Sequence, residues 1–160
     1  MENALDIEKL DELKAEGKSV VDHHGSKKID DMVGVECDIW IPAARPDVLR
    51  EENVDRLKAR LVLQGANIPA TPGAEQRMHE RGILSIPDFI ANAGGVISAA
   101  VEYRGGTQRA AFDAIAEKIA ANTRAMLELA KAERMSPREA ATKLARARIE
   151  RAMSMRRWQA

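Results

Sequence analysis

A single cysteine, Cys37, stands among the 160 residues, so the chain can form no internal disulfide. Its place in the apolar run Cys37-Asp38-Ile39-Trp40-Ile41 predicts a reduced, buried thiol inside a strand, a poor setting for Cys/His nucleophilic chemistry. No stretch of about 18 apolar residues occurs, and the acidic N-terminus lacks a signal-peptide core, so neither a spanning helix nor secretion is indicated. The cytoplasm is the expected compartment. Excess charge of one sign is also lacking: 25 Lys and Arg balance 25 Asp and Glu, which leaves no electrostatic case for nucleic acid or an anionic membrane. Of the three histidines, His23 and His24 sit in a polar stretch without Cys or carboxylate at ligand spacing, and His79 has no partner at i+4. No metal site is expected. Finally, no two of the ten glycines stand two apart, so a G-x-G-x-x-G turn for a pyrophosphate cannot be drawn on this chain.

What is present is a series of strand-like runs that end in small residues and proline. Cys37 to Ile41 runs into Pro42-Ala43-Ala44. Arg60-Leu61-Val62-Leu63 runs into Gln64-Gly65-Ala66-Asn67-Ile68-Pro69. Ile83 to Ile86 is stopped by Pro87 and followed by Asp88-Phe89-Ile90-Ala91-Asn92-Ala93-Gly94-Gly95-Val96, after which Ile97 onward reads as a helix. Between the second and third runs, Thr71-Pro72 is a cap and first-turn proline, and Gly82 is a stop. Asp6 is expected to cap a helix from Ile7 to Glu16 ended by Gly17, Val20-Val21 could form a short edge strand, and Asn53 to Leu57 carries a brief helix. Strand and helix in alternation predict a parallel sheet, and in such a sheet ligands bind outside the carboxyl ends of the strands.

Read together, the three strand ends resemble the cofactor domain of the glutamate/leucine/phenylalanine/valine dehydrogenases. The family pattern has Asp-Ile-x-Ile-Pro-Ala-Ala, matched here by Asp38 to Ala44. It has Glu-Gly-Ala-Asn-x-Pro, matched by Gln64 to Pro69 with Gln replacing Glu, and Pro-Asp-x-x-x-Asn-Ala-Gly-Gly-Val, matched by Pro87 to Val96. The resemblance runs from about Asp6 to about Met153. It implies an α/β fold, the second half of a Rossmann-like dinucleotide-binding domain over residues 1–107, with long C-terminal helices over 108–160 packing on it as one compact domain.

It also implies oxidative deamination of an amino acid to a 2-oxo acid and ammonia with NAD or NADP. Ala43, Ala44, Asn67 and Asn92 would then be the cofactor-binding residues and Gly94, Gly95 and Ala99 the substrate-lining ones. The family's reactive lysine and phosphate turn have no counterpart in these residues. No catalytic residue is therefore expected here, and the chain is expected to be a piece of an enzyme, inactive alone and weak or silent toward the cofactor. The helix after Val96 reads Ile97-Ser98-Ala99-Ala100-Val101-Glu102-Tyr103, with Ala99 where glutamate-type members place a substrate-contacting serine; Gln64-Gly65-Ala66-Asn67 leans toward the glutamate type. Each role has a plainer counterpart. Asn92 could cap the following helix, Asn67 could shape a turn, Gly94 and Gly95 could loosen a helix start, and Ala43 and Ala44 could merely follow a proline turn.

From Gln108 to Arg134 apolar residues recur at helical spacing, Phe112, Ile115, Ile119, Met126, Leu127 and Ala130, with Lys and Glu opposite. Ser136-Pro137-Arg138-Glu139 is a capping box with proline at the first position, opening a last helix to about Met155. The basic series Lys143, Arg146, Arg148, Arg151, Arg156 and Arg157 is interleaved with Glu139 and Glu150, as on a solvated helix face. These helices, or an exposed sheet edge, could instead serve self-association, and a non-catalytic oligomerising module is the alternative reading.

Overall fold

The computed structural model describes residues 6–19, 22 and 29–155. Val20-Val21 and His23-His24 lie outside the described residues. Helix α1 (Ile7–Ala15) opens where the Asp6 carboxylate accepts from Lys9 N at 3.0 Å, and the chain turns off it through Gly17 at φ +72°. A one-turn helix α2 (Ile29–Val33), not legible in the sequence, precedes strand β1 (Ile39–Trp40). A 3-10 turn (Val54–Arg56), strand β2 (Leu61–Leu63), helix α3 (Pro72–Glu80) and strand β3 (Leu84–Ile86) follow. Thr71 caps α3 by accepting from Ala74 N, with proline at its start as expected.

The three strands pair in parallel in the order β1-β2-β3. The register sets Trp40 beside Val62 and Val62 beside Ser85, and it sets Ile39 beside Leu61 and Leu63 beside Ile86. Because side chains alternate along a strand, these two rows belong to opposite faces. On one face Val62 joins Val33, Val54, Leu57, Ala74 and Met78 from α2, the 3-10 turn and α3, with Trp40 packed against them. On the other, Ile86 joins Met126, Ala140 and Ala141, with Leu61 and Leu63 packed against that cluster. Each fully buried Leu, Val or Met contributes roughly 1.5–3 kcal/mol relative to exposure, so both faces contribute to holding the sheet.

Beyond β3 lie α4 (Asp88–Ala91), α5 (Gly94–Tyr103), α6 (Gln108–Glu133) and α7 (Pro137–Met155). The helix expected from Ile97 begins at Gly94, so the diglycine is its first turn and no loop. α5 reverses into α6 through Gly105 at φ +75°, and Gly106 sits so close to Val101 that a Cβ would lie 2.4 Å from its Cγ1. The capping box holds: Ser136 N donates to Glu139 Oε2 at 2.8 Å and Glu139 N donates to Ser136 Oγ at 3.3 Å.

Two expectations are corrected. Phe112 is 62% exposed, because consecutive helical residues lie about 100° apart and it is the neighbouring Ala111 that turns inward and is buried. Cys37 is half-buried and precedes β1, since the paired strand begins only at Ile39.

Candidate functional site

In a parallel sheet all three strands deliver their following segments to the same end. Here those segments are joined to one another. Ala66 N donates to Pro42 O at 2.7 Å, tying the β2 end to the β1 end. A Cβ built on Gly65 would lie 3.2 Å from the Ala43 Cβ, so only a bare backbone fits against that methyl without displacement. Gln64 N donates to Ile86 O at 3.2 Å, and the Asn92 carboxamide donates to Ala66 O at 3.3 Å and to Asn67 Oδ1 at 2.9 Å. Ala43, Ala44 and Asn67 are exposed and Asn92 and Gly94 half-buried.

Asn92 therefore does not cap the helix that follows it. It closes α4, its side chain crosses to the β2 loop, and α5 starts with no side-chain cap. Nor does the Asn67 side chain fold back on its own turn, because its oxygen is taken by Asn92. With Nδ2 of Asn92 committed, Asn92 Oδ1 and Asn67 Nδ2 keep one acceptor and one donor without a protein partner among the described residues. A Cβ on Gly95 would meet nothing within 4 Å, and one on Gly94 would make ordinary contact with Ile115 at 3.7 Å. Ala99 is exposed on α5, while the Ser98 hydroxyl beside it is engaged, donating to Glu102 Oε1 at 2.8 Å. An apolar pocket of about 290 Å³ opens beside this end of the sheet, lined by Ile41, Leu63, Gly65, Ile86, Ala91, Ile119 and Thr123.

Behind the exposed residues is a polar cluster that was not anticipated from the sequence. Ile68 adopts φ +48°, a left-handed conformation that costs a β-branched residue on the order of 1–3 kcal/mol. It is held from both sides: Ile68 N donates to Asp88 Oδ2 at 2.9 Å, and Asp47 N donates to Ile68 O at 2.9 Å. The other Asp88 oxygen accepts from Arg138 at 2.8 Å, and the same guanidinium donates to Gln64 Oε1 at 3.2 Å and to Glu75 Oε2. Fully buried Gln64 donates in turn to Glu75 Oε1 at 2.5 Å and Ser85 Oγ at 3.0 Å. Burial alone pushes the Asp88 carboxyl up, but the Ile68 N–H, the Arg138 guanidinium and the Phe89 N–H outweigh it and hold the group below the ordinary carboxylate range. Burial likewise works against the Arg138 charge and is outweighed by Glu75 and Asp88, so its pKa stands above the usual value.

One sequence signal could have pointed to Arg138. A cation in the first turn of a helix opposes the macrodipole and needs a reason to be there. On the basic face of α7, Lys143 donates to Glu133 and Arg148 to Asn122 Oδ1, while Arg156 and Arg157 lie outside the described residues. Among the described residues no group of three His, Cys, Asp or Glu side chains could hold a metal, and no helix is long and apolar enough to cross a membrane.

The model of the Glutamate/Leucine/Phenylalanine/Valine dehydrogenase family matches residues 1–157. The chain is 36% identical to a glutamate dehydrogenase of Aeropyrum pernix over 96% of its length. It is 40% identical to an NADP(+)-dependent glutamate dehydrogenase of Pyrobaculum calidifontis over 91% of its length. It spans 40% and 35% of those two relatives. In fold it is similar to hetero-hexameric glutamate dehydrogenase from Thermus thermophilus, with a TM-score of 0.80, 21% identity, and coverage of 95% of this chain and 38% of that one. It is also similar to L-tryptophan dehydrogenase from Nostoc punctiforme, with a TM-score of 0.74, 24% identity, and coverage of 96% and 44%.

Proposed function

We propose, for a chain that belongs to the Glutamate/Leucine/Phenylalanine/Valine dehydrogenase family, that the ends of its three strands form the nicotinamide-side wall of an amino-acid dehydrogenase cleft. The cofactor is NAD or NADP and the substrate an L-amino acid, with glutamate favoured by the names of the curated relatives. The observation that carries this reading is the Asn92–Asn67 hydrogen bond, which joins two loops at the carboxyl end of a parallel sheet and leaves Asn92 Oδ1 and Asn67 Nδ2 without a protein partner among the described residues.

The residues fit the nicotinamide half of the cofactor. Ala43 and Ala44 present only methyl groups, Gly95 presents none, and the two carboxamides can hydrogen-bond a flat amide or a ribose hydroxyl. When bound, the nicotinamide supplies the hydride acceptor for oxidation at the amino-acid α-carbon. The chain's own contribution is placement. Asn67 and Asn92 orient the ring, the small residues allow close approach, and Ala99 and Gly95 line the side from which the substrate enters. Pyrophosphate contacts provide much of the affinity for a dinucleotide and have no turn here to make them, so the 160-residue chain binds weakly and does not turn over.

NADH fluorescence titration of the chain tests this reading. Weak, saturable binding that disappears in Asn92→Ala supports it; a defined oligomer by light scattering with no NADH response in either protein supports the oligomerising module. The latter reading draws on Ile39 and Ile41, 52% and 57% exposed at the β1 edge.

A further inference from the structure

The geometry points to Arg138 as a positioning residue that sets the conformation of the Asn67 loop, making the seating of α7 a condition for the strand-end wall to exist. The consequence for nicotinamide rests on the function proposed above; the coupling itself is read from the protein alone.

Arg138 stands on the second residue of α7 and reaches three other elements: Gln64 at the end of β2, Glu75 in α3 and Asp88 at the start of α4. Its guanidinium also lies over the Phe89 ring, 5.4 Å from the centroid. Nε serves Glu75 while Nη2 serves Gln64 and Asp88, a fixed planar spacing of donors that the single nitrogen of an ammonium does not reproduce. The side chains of Glu75 and Asp88 are 12% and 11% exposed, so both carboxylates depend on this one cation for compensation.

Asp88 is the link to the loop. One of its oxygens takes Arg138 and the other takes Ile68 N. Ile68 follows Asn67 directly, and its left-handed backbone sets the direction in which the chain leaves that asparagine. Without Arg138, two nearly buried carboxylates lose their shared counter-charge, and Asp88 gains by turning toward water or taking up a proton. Either change weakens its hold on Ile68 N, and the strained backbone relaxes. The Asn67 oxygen then leaves the position at which Asn92 finds it. Because α7 alone delivers the cation, whatever lifts the first turn of α7 loosens a site formed by other elements.

Amide hydrogen exchange by NMR on the 160-residue chain provides the test, with Arg138→Met, Arg138→Lys and Arg146→Met as variants. Leu57 N, bonded to Val54 O at 3.1 Å in the opposite hydrophobic cluster, reports general loosening. The expected result is that Ile68 exchanges about tenfold faster in Arg138→Met relative to Leu57, with an intermediate effect in Arg138→Lys and none in Arg146→Met. If Arg138→Met does not fold, Arg138→Lys carries the comparison. Equal acceleration at Ile68 and Leu57, or no change at Ile68, overturns the coupling. NADH titration of the unmutated protein stands apart. A lack of response at Asn67 and Asn92 removes the nicotinamide reading and leaves the coupling intact, whereas unchanged Ile68 protection removes the coupling whatever NADH does.

Discussion

The Asn92 carboxamide nitrogen lies 2.9 Å from Asn67 Oδ1, a side-chain bond between residues 25 positions apart that closes the carboxyl end of the sheet. It fixes which atom of each amide faces the protein and therefore which faces outward. Asn92→Ala removes this bond and the one to Ala66 O. Since an intramolecular hydrogen bond contributes about 0.5–1.5 kcal/mol net, urea denaturation should show a loss of about 1–2 kcal/mol while the fold survives. A loss of more than about 4 kcal/mol would mean that Asn92 is chiefly a structural residue.

Gly65→Ala probes how closely the first two strand ends approach. The added methyl meets Ala43 Cβ at 3.2 Å. Overpacking costs about 1–3 kcal/mol, while stiffening the unfolded chain returns about 0.4–1 kcal/mol, so a net loss of about 1 kcal/mol is expected. In an Ala43→Gly background the loss should vanish. Additive effects of the two substitutions in thermal melts would contradict the close approach.

Gln64→Glu restores the residue of the family pattern but puts a carboxylate where Gln64 Nε2 now stands 2.5 Å from Glu75 Oε1. Three carboxylates would then share Arg138. The introduced acid has its pKa raised in the folded state, so its penalty is full above that raised value and fades as pH falls toward the unfolded value of about 4.3. Stability measured from pH 8 to pH 4 should show the variant weaker by about 1–3 kcal/mol at the upper end and converging on the parent at the lower. A pH-independent difference would show that Gln64 is not in contact with Glu75.

Asp88 makes the opposite prediction. Its folded pKa is depressed, burial being outweighed by Ile68 N–H and Arg138, so its stabilisation is present above the unfolded value of about 3.9 and is lost as pH falls through the folded value. Asp88→Asn keeps an acceptor for Ile68 N but has no charge to titrate. Its stability should therefore fall less steeply below pH 4 than that of the parent, measured by urea midpoints.

Much of this architecture was legible because it is local. Asp6, Thr71 and Ser136 announce their helices through caps, and Gly17 and Gly82 end theirs at φ +72°. The strand ends were legible as ordered motifs, and the sheet brings them to one side, joined through Ala66, Asn67 and Asn92. Phe112 misled because helical periodicity names a face without fixing which of its residues is covered, and Ala111, about 100° around the helix, is the one buried there. The Gln64–Glu75–Asp88–Arg138 cluster stayed hidden because its members come from four elements and meet only once α7 docks. Ile68 gave no sign either, since its left-handed backbone is imposed by Asp88 and Asp47 and is not a preference of its own side chain.

In the proposed function the ends of β1, β2 and β3 receive a nicotinamide. Reduced nicotinamide mononucleotide carries that half of the cofactor alone, and ADP carries the other. Titrated separately into the isotope-labelled chain and followed by NMR, the mononucleotide should give weak, saturable shifts centred on Ala43, Asn67, Asn92 and Gly94, with ADP leaving those signals in place. Shifts absent from these residues, or the same shifts produced by ADP, would contradict the claim.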